Sequence, residues 1–242
     1  MTRPNVDFSM DKVSSAPYYF ANVTGVDREF GRILAALKEL GLDDNTIVVF
    51  SSDHGETMCS QGVVDPKNSP YTESMAVPFL IRYPNKIQPK IVDGLFSSVD
   101  IMPTLLGAAN LGSKIPSSVQ GKDYSDALLK ENSSVKFDEG VLYIQNLNGD
   151  LDEDGIVTSY FPSARGIKTK DYTLSLSINK ETKELANVIF FNDKEDPYQL
   201  NNLKLDDYPE QKEALLSQLG ALLKETKDPW YDAKYLSEMI PY

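Results

Sequence analysis

A short apolar run at residues 46–50, Thr-Ile-Val-Val-Phe, most constrains how this chain can fold. The run is too short for a typical helix and is apolar on both faces, which favours a parallel strand buried between layers of helices. Apolar residues at three- and four-residue spacing precede it, and they predict an amphipathic helix that begins near Pro17 and ends before Gly41. Its apolar stripe comprises Phe30, Ile33, Leu34, Leu37 and Leu40. Helix, short turn and buried strand form the repeating unit of an α/β fold.

Two further strands are predicted in the first half, at residues 77–82 and 95–99. Asp100 then has the position and chemistry to cap a helix over residues 101–110. We therefore predict that residues 1–136 form part of an α/β core sheet with flanking helices.

The pattern changes after about residue 137. Short strand-like segments follow one another at the spacing of hairpins, which predicts an antiparallel sheet; they lie at residues 141–144, 165–168, 172–176 and 188–191. Serines alternate with apolar residues in the third segment, so one of its faces is expected to be wet. A leucine-rich amphipathic helix begins near Pro209, and an aromatic tail after Pro229 is expected on the surface of the core. Residues 137–242 are thus predicted to form a small α+β subdomain.

The charge and composition exclude several classes of protein. The formal net charge is -12, which disfavours a nucleic-acid partner because such proteins usually present a basic face. No apolar run approaches the about 20 residues that span a bilayer, so no membrane partner is predicted. The single cysteine, Cys59, rules out an internal disulfide framework.

Asp53, His54 and Gly55 follow the first predicted strand, where ligands bind in α/β sheets. Asp53 offers a hard oxygen ligand and His54, the only histidine, offers a nitrogen. Gly55 would let the backbone turn so that both side chains converge. These residues alone leave two readings open: a metal site, or an aspartate that caps a turn beside a packed imidazole. A Ser-His-Asp relay from residues 52–54 is excluded, because three adjacent residues cannot form it.

Lys67 lies in a polar loop that follows this site. A lone loop lysine is usually solvent-exposed. Its functional alternative is to hold a sulfate or phosphate oxygen and offset charge on the leaving group.

Five blocks of the sequence resemble, in order, the conserved blocks of type I sulfatases. The match extends from about residue 16 to residue 225, and that order is more specific than any one motif. The blocks are residues 45–56, residues 67–74 with 77–84, residues 99–106 with 120–123, residues 164–169, and residues 196–203.

The resemblance implies an alkaline-phosphatase-like α/β core followed by a small antiparallel sheet and a helix. It implies a calcium ion (Ca2+) held partly by Asp53 and His54, and a sulfate group contacted by Lys67. It also implies a formylglycine nucleophile, made from Cys or Ser in a C/S-x-P-x-R motif, whose hydrate attacks sulfur and displaces the alcohol. The implied substrate is a carbohydrate or aryl sulfate ester, and a periplasmic or secreted location is expected.

The sequence departs from the family in what it lacks. No C/S-x-P-x-R motif occurs, and Cys59 is followed by neither the proline nor the arginine. We therefore expect the nucleophile and further metal ligands to lie in an N-terminal half that is missing here. We assign no role to Gln61, where many relatives have histidine. This chain alone is expected to bind calcium weakly and to be inactive.

A second acidic pattern combines Asp150, Asp152 and Asp154 with Gly155, like the opening of a calcium loop. Phe161 occupies the position where a full EF-hand carries glutamate. A structural calcium and a solvated acidic loop both remain open.

Two other functions remain as alternatives. One is a phosphonate or phosphate-ester hydrolase of the same superfamily, which would share the Asp-His pair but differ in nucleophile. The other is a non-catalytic, calcium-stabilised binding module. The presence of Asp53, His54 and Lys67 together argues against the second alternative.

Overall fold

A computed structural model describes residues 3–63 and 66–242. Residues 1, 2, 64 and 65, which belong to the predicted first domain, lie outside the described residues. The helices are α1 (Ala16–Glu39), α2 (Thr72–Met75), α3 (Ile101–Ala108), α4 (Ser125–Leu129), α5 (Pro209–Glu225) and α6 (Pro229–Ala233). The strands are β1 (Val48–Ser51), β2 (Phe79–Arg82), β3 (Gly140–Leu151), β4 (Val157–Thr169), β5 (Tyr172–Ile178) and β6 (Leu185–Asn192).

The first half contains a two-stranded sheet, and the prediction of a parallel, fully buried strand is wrong for it. β1 pairs antiparallel with β2, from Val48 opposite Arg82 to Ser51 opposite Phe79. Parallel neighbours are usually joined by a crossover helix, whereas α2, with four residues, is the only helix in the described residues between these strands. Every residue of β1 is half-buried.

Residues 95–99 do not form the predicted strand. Leu95 makes an isolated bridge to Asp138, and Ser97 begins a 3-10 turn instead. The buried Asp100 carboxylate accepts hydrogen bonds from the backbone N–H groups of Ser97 (2.9 Å) and Lys122 (2.8 Å). Asp100 therefore caps the 3-10 turn before α3 and not α3 itself, so the predicted helix cap is wrong. Its bond to Lys122 ties the start of α3 to a later loop.

The second half folds as predicted into an antiparallel sheet with a helix against it. Its four strands are neighbours in chain order, β3-β4-β5-β6. The amphipathic α5 buries its leucines in the core beneath this sheet. Side chains that are at most 1% exposed in this core are Ile167, Leu174, Leu176, Phe190, Leu219, Leu223, Trp230 and Ile240.

Two expectations about the second half are wrong. The aromatic tail completes the core, because Trp230 and Ile240 are fully buried and the indole N–H donates to the Pro162 carbonyl at 2.7 Å. The polar face of β5 is also covered rather than wet. Thr173 and Ser175 on that face are 1% and 4% exposed, because the sheet packs there against the first half, where Tyr71 lies 6.0 Å from Phe191 between ring centroids.

The long helix α1 confirms the predicted helical span but leaves its apolar stripe largely uncovered. None of its 24 residues is buried. Phe30 contacts Phe50 of β1 with ring centroids 5.0 Å apart, whereas Ile33 and Leu40 are 55% and 71% exposed. No helix in the described part of the chain combines the length and the apolar character of a membrane span.

Candidate metal and sulfate site

The candidate site begins where β1 ends, at residues 52–55. Gly55 donates its backbone N–H to the Ser74 carbonyl at 2.7 Å. A Cβ atom at Gly55 would lie 2.0 Å from the carbonyl oxygen of Glu73. Glycine is therefore required here by the close approach of another backbone segment.

Asp53 and His54 converge although they are adjacent in sequence. His54 Nε2 lies 3.5 Å from Asp53 Oδ2. The other ring nitrogen of His54, Nδ1, lies 2.8 Å from the Gly55 carbonyl. A proton on Nδ1 makes that hydrogen bond and leaves the Nε2 lone pair facing the carboxylate, the arrangement common to metal-binding histidines.

The Asp53 carboxylate is held in its charged form by nearby donors. The backbone N–H of His54 donates to Asp53 Oδ1 at 3.0 Å, and the Ser52 hydroxyl donates to the same oxygen at 3.3 Å. The His54 N–H is the largest cause that lowers the pKa of Asp53. The Asp53 side chain is 84% exposed and the His54 side chain 41% exposed, so both groups are open to an incoming ion.

Lys67 is connected to this pair through Ser74. The Ser74 hydroxyl donates to the Lys67 carbonyl, while the Ser74 carbonyl accepts from Gly55. Ser74 is 2% exposed. The structure thus brings Asp53 and His54 side by side, and it joins the backbone of Lys67 to the same turn.

The donor set fits part of a calcium shell. Calcium takes about six to eight ligands, mostly oxygens, and Asp53 with His54 supplies one carboxylate and one imidazole. Within residues 3–63 and 66–242, no group of three or more His, Cys, Asp or Glu residues is placed to hold a metal ion. The pair therefore needs oxygen ligands from elsewhere to form a complete site.

The second acidic pattern spans the end of β3 and the turn between β3 and β4. Asp152 Oδ1 accepts the backbone N–H groups of Asp154 (3.1 Å) and Ile156 (2.7 Å), and the Asp150 carboxylate accepts the Ser159 hydroxyl. These carboxylates stabilise the hairpin turn. A second calcium ion here stays a prediction.

The sequence reasoning missed the side chains that anchor the Lys67 loop. Gln199, which is 1% exposed, accepts the backbone N–H of Thr72 at 2.9 Å and donates to Asp193 at 2.7 Å. Gln61, to which no role was assigned, donates to the Tyr198 carbonyl at 2.8 Å. The block at residues 196–203 was recognised, but a single sequence does not show which of its side chains point toward the site.

Comparisons with known proteins give two matching family models. A model described as "Sulfatase" matches residues 3–111. A model described as "N-sulphoglucosamine sulphohydrolase, C-terminal" matches residues 61–228. The second model alone covers more than half of the chain.

Similar proteins carry the names of sulfatases. An endo-4-O-sulfatase from Bacteroides thetaiotaomicron is 58% identical over 242 residues, which is 100% of this chain and 48% of that protein. A solved structure from a glycosaminoglycan-metabolism locus of the same species has a TM-score of 0.96 at 58% identity, over 99% of this chain and 49% of that one.

A more distant solved structure contains its substrate, D-glucosamine-2-N,6-O-disulfate. It has a TM-score of 0.69 at 28% identity and covers 89% of this chain and 42% of its own. The chain thus spans about half the length of the relatives it matches. These likenesses confirm the predicted mixed helix-and-sheet fold of the alkaline-phosphatase-like type.

Proposed function

The chain belongs to the sulfatase family, and from that premise we propose that it supplies one side of a site that hydrolyses sulfate esters of carbohydrates. The observation that carries this proposal is the convergence of His54 Nε2 and Asp53 Oδ2 at 3.5 Å directly after β1. Two lone-pair-bearing groups that face each other in solvent are suited to share a cation.

Calcium is the proposed ion, and Asp53 and His54 are its proposed ligands in this chain. When bound, the ion would neutralise negative charge on a sulfate group. Asp53 is suited to this role because its carboxyl pKa is lowered, foremost by the His54 N–H. His54 is suited because the Gly55 carbonyl orients its ring.

Lys67 is the proposed catalytic residue of this chain. Its ammonium group would donate a hydrogen bond to a sulfate oxygen and offset the charge that grows on the leaving alcohol. Ser74 positions the Lys67 backbone relative to the Asp53 turn. The nucleophile is proposed to be a formylglycine in the N-terminal half of a sulfatase, since the chain lacks the C/S-x-P-x-R motif.

A sulfated carbohydrate is the proposed substrate class. Support comes from the endo-4-O-sulfatase and from the structure bound to a glucosamine disulfate. The proposal includes a location in the periplasm or outside the cell. The proposed substrate is charged, and charged groups cross a lipid bilayer at high energetic cost.

Calcium titration followed by calorimetry tests the metal assignment. We expect weak binding to the unaltered chain, and loss of that binding in the Asp53→Asn and His54→Ala variants. Asp206→Asn removes an exposed carboxylate paired with Lys212 and serves as the control. Binding that survives both site variants would exclude this pair as the ligands.

Sulfate release tests the reaction. The N-terminal half of the Bacteroides endo-4-O-sulfatase, joined in one polypeptide to this chain, should hydrolyse a 4-O-sulfated oligosaccharide. The Lys67→Ala variant should lower kcat by about 100-fold or more, and Lys194→Ala, also on a loop, should leave kcat unchanged. Faster turnover of a phosphate monoester than of the sulfate ester would favour the phosphoester alternative.

A further inference from the structure

A largely buried polar network lies where the sheet of the second half meets the loop that carries Lys67. We call its members, Lys168, Thr173, Asp193 and Gln199, the Asp193 network. Lys168 of β4 donates from Nζ to Asp193 Oδ2 at 2.7 Å, and the two side chains are 20% and 10% exposed. The Thr173 hydroxyl donates to the same carboxylate oxygen at 2.7 Å. A charged pair this far removed from water is stable when further hydrogen bonds satisfy it, and the network supplies them.

Gln199 connects the Asp193 network to helix α2. Its Nε2 donates to Asp193 Oδ1 at 2.7 Å and to Thr173 Oγ1 at 3.2 Å. Its Oε1 accepts the backbone N–H of Thr72, the first residue of α2, at 2.9 Å. The backbone of Gln199 has a φ of 53°, and this left-handed conformation costs about 1–2 kcal/mol in a residue with a side chain. The three hydrogen bonds of the amide offset that cost, at about 1 kcal/mol each.

Helix α2 depends on this support. It has four residues, and a helix this short is unstable without tertiary contacts. No side chain caps it at Tyr71, so the N–H of Thr72 takes its acceptor from Gln199. The Lys168 ammonium adds a second contact at 3.5 Å from Thr72 Oγ1. The Asp193 network therefore fixes the start of α2.

Helix α2 in turn holds both parts of the candidate site. The hydroxyl of its Ser74 donates to the Lys67 carbonyl. The Ser74 carbonyl accepts the backbone N–H of Gly55 at 2.7 Å, and Gly55 ends the turn that carries Asp53 and His54. The loop of Lys67 and this turn thus share one support, and that support rests on Gln199.

We propose that Gln199 is a positioning residue for Lys67: its amide, oriented by the ion pair of the Asp193 network, sets α2 and with it the place of Lys67 in the candidate site. This inference rests on the proposed function, in which Lys67 contacts a sulfate oxygen. Position 199 requires an amide, because it must accept from a backbone N–H of α2 and donate to Asp193. A glutamate would put a second negative charge where Nε2 now lies 2.7 Å from Asp193 Oδ1, and like charges this close repel each other.

An added charge tests the inference in the fusion with the N-terminal half of the Bacteroides endo-4-O-sulfatase. Gln199→Glu should lower kcat for sulfate release at least about tenfold, because small displacements of a group that acts in the transition state slow the reaction strongly. KM should stay nearly unchanged, since Lys67 offsets charge that develops only in the transition state. Gln120→Glu makes the same substitution on an exposed glutamine that bonds the Thr226 carbonyl, and it should leave both constants unchanged.

A reciprocal change should restore the rate. In the double variant Gln199→Glu with Asp193→Asn, amide and carboxylate exchange places, so the network keeps one amide donor and one negative charge beside Lys168. We expect this variant to recover most of the lost kcat, measured well below the thermal midpoints of all the variants. An unchanged kcat in Gln199→Glu, or a loss that the double variant does not reduce, would overturn the inference.

Amide exchange in this chain alone separates the inference from the proposed function. Gln199→Met keeps the approximate size of the side chain and removes its hydrogen bonds. By NMR, the amides of Thr72–Met75 should exchange faster with deuterium in this variant, whereas the amides of α5 keep their rates. No change, or an equal rise in α5, contradicts the positioning role. If the unaltered fusion releases no sulfate while the amide result holds, the proposed function fails and the support of α2 by Gln199 stands.

Discussion

Arg165 illustrates how much one buried residue can organise. It is 1% exposed, and its Nε donates to Asp228 Oδ2 at 2.8 Å. Its guanidinium carbon lies 5.9 Å from the centre of the Trp230 ring. Asp228 also accepts the backbone N–H of Trp230 at 2.9 Å, which caps α6. The pair thus fastens the C-terminal tail to β4.

Asp228→Asn should lower the free energy of unfolding by about 3 kcal/mol, because it leaves the buried Arg165 charge without its partner. Urea denaturation followed by the fluorescence of Trp230, the only tryptophan, measures this change. Asp126→Asn is the matched control, since its pair with Lys130 is exposed and is expected to contribute at most about 1 kcal/mol. Equal effects of the two substitutions would contradict the role given to Arg165.

Gly55→Ala should disturb the candidate site. The new Cβ would meet the Glu73 carbonyl oxygen at 2.0 Å, so the turn and the 73–74 backbone would have to separate. We expect a lower thermal midpoint and weaker calcium binding. Gly25→Ala is the control, because a Cβ there meets nothing within 4 Å and alanine favours a helix. A Gly55→Ala protein with unchanged melting and binding would show that the close approach does not matter.

At the scale of elements, α3 and residues 121–124 act as one unit, joined by residues that lie 20 and 22 positions apart in the sequence. The Thr104 hydroxyl accepts the backbone N–H of Tyr124 at 3.0 Å, and Asp100 accepts that of Lys122. A Cβ at Gly121 would lie 1.9 Å from the Val99 carbonyl oxygen. These contacts explain why the two sequence blocks of this region occur together.

Thr104→Val should lower the free energy of unfolding by about 1–3 kcal/mol, because it leaves the N–H of Tyr124 without its acceptor in a buried place. Thr24→Val makes the same substitution on the exposed surface of α1, where the Thr24 hydroxyl donates to the Phe20 carbonyl of the same helix. The control should change stability by much less. Thermal unfolding of both variants, measured side by side, tests this. Equal loss of stability in the two variants would show that the Thr104 hydrogen bond does not stabilise the fold.

Local patterns predicted the elements well, since helical and strand periodicities are properties of neighbouring residues. α1, α5 and the hairpins of the second half follow from such periodicity. The direction in which β1 pairs does not, because pairing depends on where the chain returns. The burial of the tail was mispredicted for the same reason. Pro162 and Arg165, which contact the buried Trp230, lie more than sixty residues earlier in the sequence.

The candidate site was predictable to a similar extent. Convergence of Asp53 and His54 followed from the strand end and the glycine. The link through Ser74 and the support from Gln199 did not, because side-chain direction within a recognised block depends on tertiary packing. The assignment of Asp53, His54 and Lys67 to calcium and sulfate stays a prediction.

At the scale of the whole molecule, the high net charge and the exposed apolar surface of α1 have opposite effects on self-association. The net charge of -12 keeps copies of the chain apart at neutral pH, whereas the exposed apolar residues of α1, such as Ile33 and Leu40, favour association. The balance between them depends on how many carboxylates are ionised.

Light scattering should therefore rise as the pH falls toward the pI of about 4.6, since protonation of carboxylates removes the repulsion while the apolar surface of α1 stays exposed. Ile33→Asp should reduce this association. Ala35→Asp adds the same charge away from the apolar stripe and should reduce it less. If both variants behave alike, net charge and not the apolar surface of α1 controls the association.

The hydrogen bonds of Ser74 have a consequence for protein engineering by segment exchange. Its carbonyl and hydroxyl join the turn after β1 to the loop that carries Lys67, and the backbone of its neighbour Glu73 touches Gly55. A chimera that took one of these loops from another enzyme would have to preserve its contacts with the loop that remains. Residues 48–75 are thus best exchanged together, as a single segment.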